Sequence, residues 1–326
     1  MALDPRLRSP KEEPLFILCI VVSSIAWLLV VISIIGLLYG AVVLAFVVVA
    51  HAVFLANIRG NGVRLSEKQL PDLYNRVRAA AGSLGMVGVP DAYLLQSGGL
   101  LNAFATKLLS RRYVVIYSEL ADRCQDPRQL DFVIGHELGH HAAGHLAWNF
   151  FLAPSRLVPW LGPAYSRARE YTSDRCGLHV AGDLEQASRG LAVLAAGGKH
   201  AALVDLEAFM EQRHETGDFW MAIRELVASH PYLCKRVAAL KEMTTPGSVP
   251  AMGRNPFSYL VAPILGISVG GASSMALLFI VYMAVIMSLM FKSGGSLFRL
   301  PAPRSRPVSA QPSTQTYEWQ SPPRSQ

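Results

Sequence analysis

The densest chemistry in the sequence lies in ten residues, His136-Glu137-Leu138-Gly139-His140-His141-Ala142-Ala143-Gly144-His145. On a helix, His136 and His140 stand four apart, so both imidazoles leave the same face one turn apart. Two such nitrogens make half of a tetrahedral zinc site. Glu137, beside the first of them, can reach a water held at an open coordination position. The pattern is suited to metal-assisted hydrolysis with Glu137 as general base. By itself the HExxH string is short, and it needs a third ligand and a suitable setting.

A third ligand should be a carboxylate or histidine on a neighbouring helix. The stretch Ser166-Arg167-Ala168-Arg169-Glu170-Tyr171-Thr172-Ser173-Asp174 offers Glu170, 30 residues after His140. Asp174 follows one turn later on the same face, where a carboxylate can accept the other N–H of a ligating imidazole and fix its orientation. Alone, this stretch would read as a solvated charged helix; beside HExxH, the ligand reading is preferred. The metzincin pattern places its glycine three residues after the second histidine and a third histidine three beyond that. Gly144 and His145 are each off by one, so that pattern fails. His141 and His145 therefore read as structural or supporting residues rather than zinc ligands.

The elements that must position this chemistry follow from hydropathy. The chain of 326 residues is 52% hydrophobic and 16% charged, and its apolar excess sits in two blocks. Between them, residues 59–254 have ordinary polarity and are long enough for one domain with its own core. Residues 1–14 are polar. From Leu15 to Ile58 there is no Asp, Glu, Lys or Arg. One helix of that length would extend about 66 Å, twice the ~30 Å hydrocarbon core of a bilayer. A membrane hairpin over 15–58, reversing near Gly36-Leu37-Leu38-Tyr39-Gly40, is expected. The region is too long for a cleavable signal peptide. Arg6, Arg8 and Lys11 precede it and Arg59, Arg64 and Lys68 follow it, which places both ends on the cytoplasmic side.

Within the middle domain, Ser66 and Glu67 carry helix-start chemistry, Pro71 suits a first turn, and Leu73, Val77, Ala80 and Leu84 recur at helical spacing. Ala92–Gln96, Asn102–Thr106 and Tyr113–Tyr117 read as short strands. Asp126-Pro127 opens the helix that carries HExxH. Residues 146–164 are apolar but broken by Pro154, Pro159 and Pro163, a surface-lying or membrane-contacting segment. A helix over Ser166–Val180 and further helices through Lys241 complete the domain. Residues 255–291 form the second uncharged block, one or two spans. Residues 292–326, rich in Pro, Ser, Gln and Arg, are expected to be disordered.

The net charge of +7 comes from scattered basic residues with no basic stripe, which argues against nucleic acid as a partner. The four cysteines, Cys19, Cys124, Cys176 and Cys234, have no metal-ligand spacing and read as reduced structural thiols.

Together, His136-Glu137-Leu138-Gly139-His140, the Arg169-Glu170…Asp174 helix, Asn102-Ala103-Phe104-Ala105-Thr106 and Ser229-His230-Pro231 with Arg236 and Leu240 resemble the HtpX-type membrane zinc metallopeptidases. Those are gluzincins, related to the CAAX prenyl endopeptidases and the mitochondrial peptidase Oma. The resemblance covers about residues 66–242, with the motifs in family order. It departs in one respect: HtpX has a further membrane hairpin between the HExxH and glutamate helices, whereas here the second apolar block follows the domain.

The resemblance implies an α+β, mainly helical zincin-like domain with a small β-sheet, and transmembrane helices at both ends. It implies one Zn2+ per chain on His136, His140 and Glu170, with Asp174 behind His136. It also implies that Asn102 and His230 touch the substrate backbone, His230 as a donor to the oxyanion; alone, they would read as a turn residue and an ordinary histidine. The expected activity is endopeptidase cleavage of membrane or misfolded proteins in quality control. Two alternatives stand beside it: a dedicated processor of one membrane or lipidated substrate, and a non-catalytic zinc-stabilised adaptor. The expected partners are protein or peptide substrates and the lipid bilayer, with a homo-oligomer left open. The expected location is a bacterial inner membrane with the domain facing the cytoplasm.

Overall fold

The computed structural model describes residues 3–158 and 160–269. Two long helices, α1 (Glu12–Ile32) and α2 (Ile34–Asn61), lead into strand β1 (Val63–Arg64) and helix α3 (Pro71–Ser83). Strands β2 (Asp91–Leu95), β3 (Ala103–Leu108) and β4 (Arg111–Tyr117) follow, then α4 (Ser118–Arg123), α5 (Pro127–Ala142) and α6 (Leu161–Ala181). The C-terminal part contains α7 (Leu184–Ala196), α8 (Gly198–Ala201), α9 (Leu206–Glu211), α10 (Phe219–Val227), α11 (Leu233–Thr244) and α12 (Ser258–Val269). The fold is mainly helical with one small mixed sheet, as the sequence predicts.

The sheet order is β1-β2-β4-β3, with β2 parallel to β4 and β3 antiparallel to it. β4 is therefore interior, and its Val114, Val115 and Ile116 are fully buried. β3 lies at an edge. One face of the sheet packs on α3 and α5 through Val77, Ala80, Ile134 and Leu138. Leu55 and Ile58, at the end of α2, cover the other face against Tyr93, Tyr113 and Val115.

Helix α5 is enclosed on both sides, which is why its apolar residues run nearly all round it. Ile134 and Leu138 face the sheet, while Phe132 and Val133 pack with Leu191 of α7 and Val237 and Leu240 of α11. Asp126 caps its N-terminus by accepting the Arg128 N–H at 2.8 Å, and Pro127 occupies the first turn, where no N–H is needed.

α1 and the 26-residue stretch Gly36–Asn61 of α2 are long and apolar enough to cross a membrane, and in each only 11% of the most apolar window is buried. That low burial sets them apart from a core hairpin. α1 is also held along its length. Phe16 meets Trp148 edge-on at 5.4 Å, Cys19 is buried with Leu152, Leu161 and Tyr165, and the Trp27 indole donates to the Phe151 carbonyl at 2.8 Å.

Three local expectations are corrected. The hairpin reverses at Ser33, where the backbone leaves the helix and the hydroxyl accepts the Gly36 N–H at 3.1 Å; Gly36 lies just inside α2. Ser66 and Glu67 do not start a helix: Ser66 and Gln69 close a turn, and α3 begins at Pro71. Helix α6 starts at Leu161, ahead of Ser166, because Pro163 sits in its first turn, where proline is tolerated. The rest of the second apolar block, from residue 270, and the tail over 292–326 lie outside the described residues, so the expected C-terminal spans do too.

Candidate metal centre

The site is made by two helices that touch. A β-carbon on Gly135 would stand 2.7 Å from Cβ of Val180, and one on Gly139 would stand 2.8 Å from Cβ of Cys176. In the other direction, a β-carbon on Gly177 would meet the Phe132 carbonyl at 2.6 Å. Helices α5 and α6 therefore approach at a distance that only glycine permits, and this brings the Glu170 carboxylate to the two imidazoles.

His136 Nε2 lies 3.4 Å from Glu170 Oε2, and His140 Nε2 lies 3.5 Å from Glu170 Oε1. One ligand atom from each of the three buried or nearly buried groups falls within 4.8 Å of the others. Nitrogen and oxygen ligands at ~2.0–2.1 Å from a tetrahedral zinc stand about 3.3–3.4 Å apart, so the separations from Glu170 suit that ion. The donor set, two imidazoles and a carboxylate, suits it as well.

Each imidazole is held from behind. His136 Nδ1–H donates to Asp174 Oδ1 at 2.9 Å, and Asp174 receives Arg236 of α11 in two bonds, Nη2 to Oδ1 at 2.6 Å and Nε to Oδ2 at 2.8 Å. His140 Nδ1 meets His145 Nδ1 at 2.9 Å. A backbone turn explains how His145 gets there. Gly144, in the left-handed region at φ 79°, closes α5: its N–H bonds to the His141 carbonyl and the His145 N–H to the His140 carbonyl, each at 3.1 Å. The glycine that breaks the metzincin spacing is the helix terminator that folds His145 back under His140. His141 points the other way, its Nε2–H donating to the Tyr113 carbonyl of β4 at 2.9 Å.

The electrostatics divide the pair. Burial lowers the pKa of His136, but its bonds to Asp174 and Glu170 outweigh that and push it up to about 10. Burial holds His140 well below the usual imidazole range, outweighing the pull of the Glu170 charge. Without a metal, one proton resides on His136, opposite Glu170. Burial would raise Glu170, but the hydrogen bond and charge of His136 keep it well below the carboxylate range. Burial pushes Glu137 up to about 7, against the pull of the His136 charge. A dication beside it would draw it down again.

His230 is exposed, bonded to Ser229 Oγ at 2.9 Å through Nδ1, with Nε2 3.6 Å from Glu170 Oε1. It stands at the open side of the cluster. Asn102 is placed less directly. Its Oδ1 accepts the Ala103 N–H at 2.9 Å at the start of β3, and among the described residues no hydrogen bond joins its side chain to the cluster. Sequence reasoning left two residues out of the site. The Arg236 clamp on Asp174 was visible only as part of a motif, and Glu12, whose Oε1 lies 3.1 Å from His145 Nε2, carried no signal.

A profile described as Peptidase family M48 matches residues 67–158 and 149–244, more than half of the chain between them. Over 175 residues the chain is 30% identical to the Plastoglobule-localized metallopeptidase 48, chloroplastic, of Arabidopsis thaliana, covering 48% of this chain and 50% of that protein. The chain thus spans about half the length of the curated relative it matches. No solved structure matches it.

Proposed function

Because the chain belongs to peptidase family M48, we propose that it is a membrane-anchored zinc endopeptidase that holds its metal on His136, His140 and Glu170 and uses Glu137 as general base. The observation that carries this is the buried His136–His140–Glu170 cluster, with Glu137 adjoining it in the same helix turn. Zinc, when bound there, supplies a Lewis acid that polarises the scissile carbonyl and makes water acidic enough to ionise near neutral pH.

The chain's own residues do the rest. Glu137, buried beside the two imidazoles, takes a proton from the attacking water and delivers it to the leaving amine. His230 Nε2, at the open side of the cluster, donates to the carbonyl oxygen as that oxygen gains charge. Strand β3, at the sheet edge beside the site, pairs with an extended substrate, with Asn102 at its start; this recognises backbone more than side chains. Helices α1 and α2 anchor the domain at a bilayer, which favours substrates that are themselves membrane-bound or misfolded at the membrane.

The test is Glu137→Gln in the full chain, purified in detergent. It retains zinc by elemental analysis and loses cleavage of a casein-like or membrane-protein substrate. Unchanged cleavage would remove Glu137 from the mechanism.

A further inference from the structure

Behind His140 the hydrogen bonds continue past His145 into the first turn of α1. His145 is 2% exposed, and its Nε2 lies 3.1 Å from Oε1 of Glu12, the first residue of α1. Glu12 is itself 3% exposed. Its Oε1 also receives Arg8 Nη1 at 2.9 Å, and its Oε2 accepts the hydroxyl of Thr172, on the same helix as Glu170. The Thr172 oxygen in turn accepts the Ser9 N–H at 2.9 Å. A carboxylate from the first turn of α1 is thereby buried against α6 and the turn that ends α5.

The direction of the protons follows from coordination. His140 presents Nε2 to Glu170, so as a neutral ligand it carries its proton on Nδ1. That proton is donated to His145 Nδ1, so His145 accepts there and carries its own proton on Nε2. That second proton faces Glu12. The order from metal to anchor is His140, His145, Glu12, each donating to the next. A carboxylate at the far end raises the donor strength of the ligand and fixes its ring, as outer carboxylates do for metal-bound histidines. His136 receives the same service directly from Asp174, and His140 receives it one imidazole removed.

We propose that Glu12 and His145 are positioning residues for His140, and that the first turn of the anchor helix is a working part of the metal centre rather than a tether. The proposal rests on the reading of His136, His140 and Glu170 as zinc ligands. Three features support it together: the unbroken run of bonds, the near-complete burial of both groups, and the helix terminator at Gly144 that places His145.

The test uses the full chain in detergent, with zinc affinity measured by competition against a chelating dye and the Co2+-substituted protein read by its visible absorption. Glu12→Gln keeps the shape and removes the charge. It is expected to weaken zinc binding about 10-fold and His145→Phe about 10- to 100-fold, the usual range for outer partners of a ligand. Both should shift the cobalt bands, and the double variant should lose no more than His145→Phe alone. Wild-type affinity and cobalt bands in Glu12→Gln would overturn the proposal. So would a lower melting temperature of the metal-free variant with unchanged bands, which marks a purely structural role. A wild-type chain that binds no zinc would instead overturn the peptidase reading itself.

Discussion

Gly139 and Cys176 lie so close across the α5–α6 contact that a β-carbon on the glycine would stand 2.8 Å from that of the cysteine. Ser173 closes the same gap, its Cα 3.1 Å from the same point. Each element of the metal site depends on this approach, since one helix brings the two imidazoles and the other the carboxylate. Gly139→Ala is expected to cost about 1–3 kcal/mol in chemical denaturation, as overpacking does in a close-packed core. Gly139→Val, which forces the helices further apart, should lose zinc as well, read by elemental analysis.

Glu170 supplies the one carboxylate among the three proposed ligands. Glu170→Ala leaves two imidazoles, and the purified variant should retain no zinc after dialysis. Full occupancy would remove Glu170 from the ligand set.

His230 is the exposed member of the site, so its loss should leave the fold intact. His230→Ala is expected to lower kcat by about 10²–10³, the usual cost of losing an oxyanion donor, with zinc content and melting temperature unchanged. An unaltered kcat would place the donor elsewhere.

The metal-free protein holds a proton on His136 whose pKa, about 10, lies above the ordinary value of 6.5. A raised folded-state pKa stabilises fully below 6.5, and that stability is lost as pH rises through 10. The zinc-loaded protein has no such proton to lose, because metal binding displaces it. The gap between the melting temperatures of the loaded and metal-free forms should therefore widen from about pH 6.5 to about pH 10. A constant gap would mean that His136 is neutral in the metal-free site.

Helix α5 and strands β2 to β4 were legible in the sequence because each is local: an alternation, a cap, or a four-residue spacing on one helix. Glu170, 30 residues after His140 on another helix, was found because HExxH calls for a third ligand. What was hidden is what only the tertiary fold supplies. Glu12 reads as one charge in a mixed polar leader, and nothing local ties it to His145, 133 residues away. The parallel pairing of β2 with β4 joins segments separated by β3, so hairpin rules do not reveal it. The turn at Ser33 was missed in favour of the glycines after it. In an apolar helix pair, a hydroxyl that caps the second helix ends the first more effectively than a glycine inside the run.

Gly62 alone separates α2 from β1, and its N–H bonds to the Ile58 carbonyl at 2.8 Å. With Leu55 and Ile58 wedged beneath Tyr93 and Tyr113, the mounting has no slack. A domain joined to its helix in this way stands at one height on it. On the proposed reading, an enzyme anchored through α2 would take the bilayer surface as a datum and would select a chain by how far above it the first extended stretch begins.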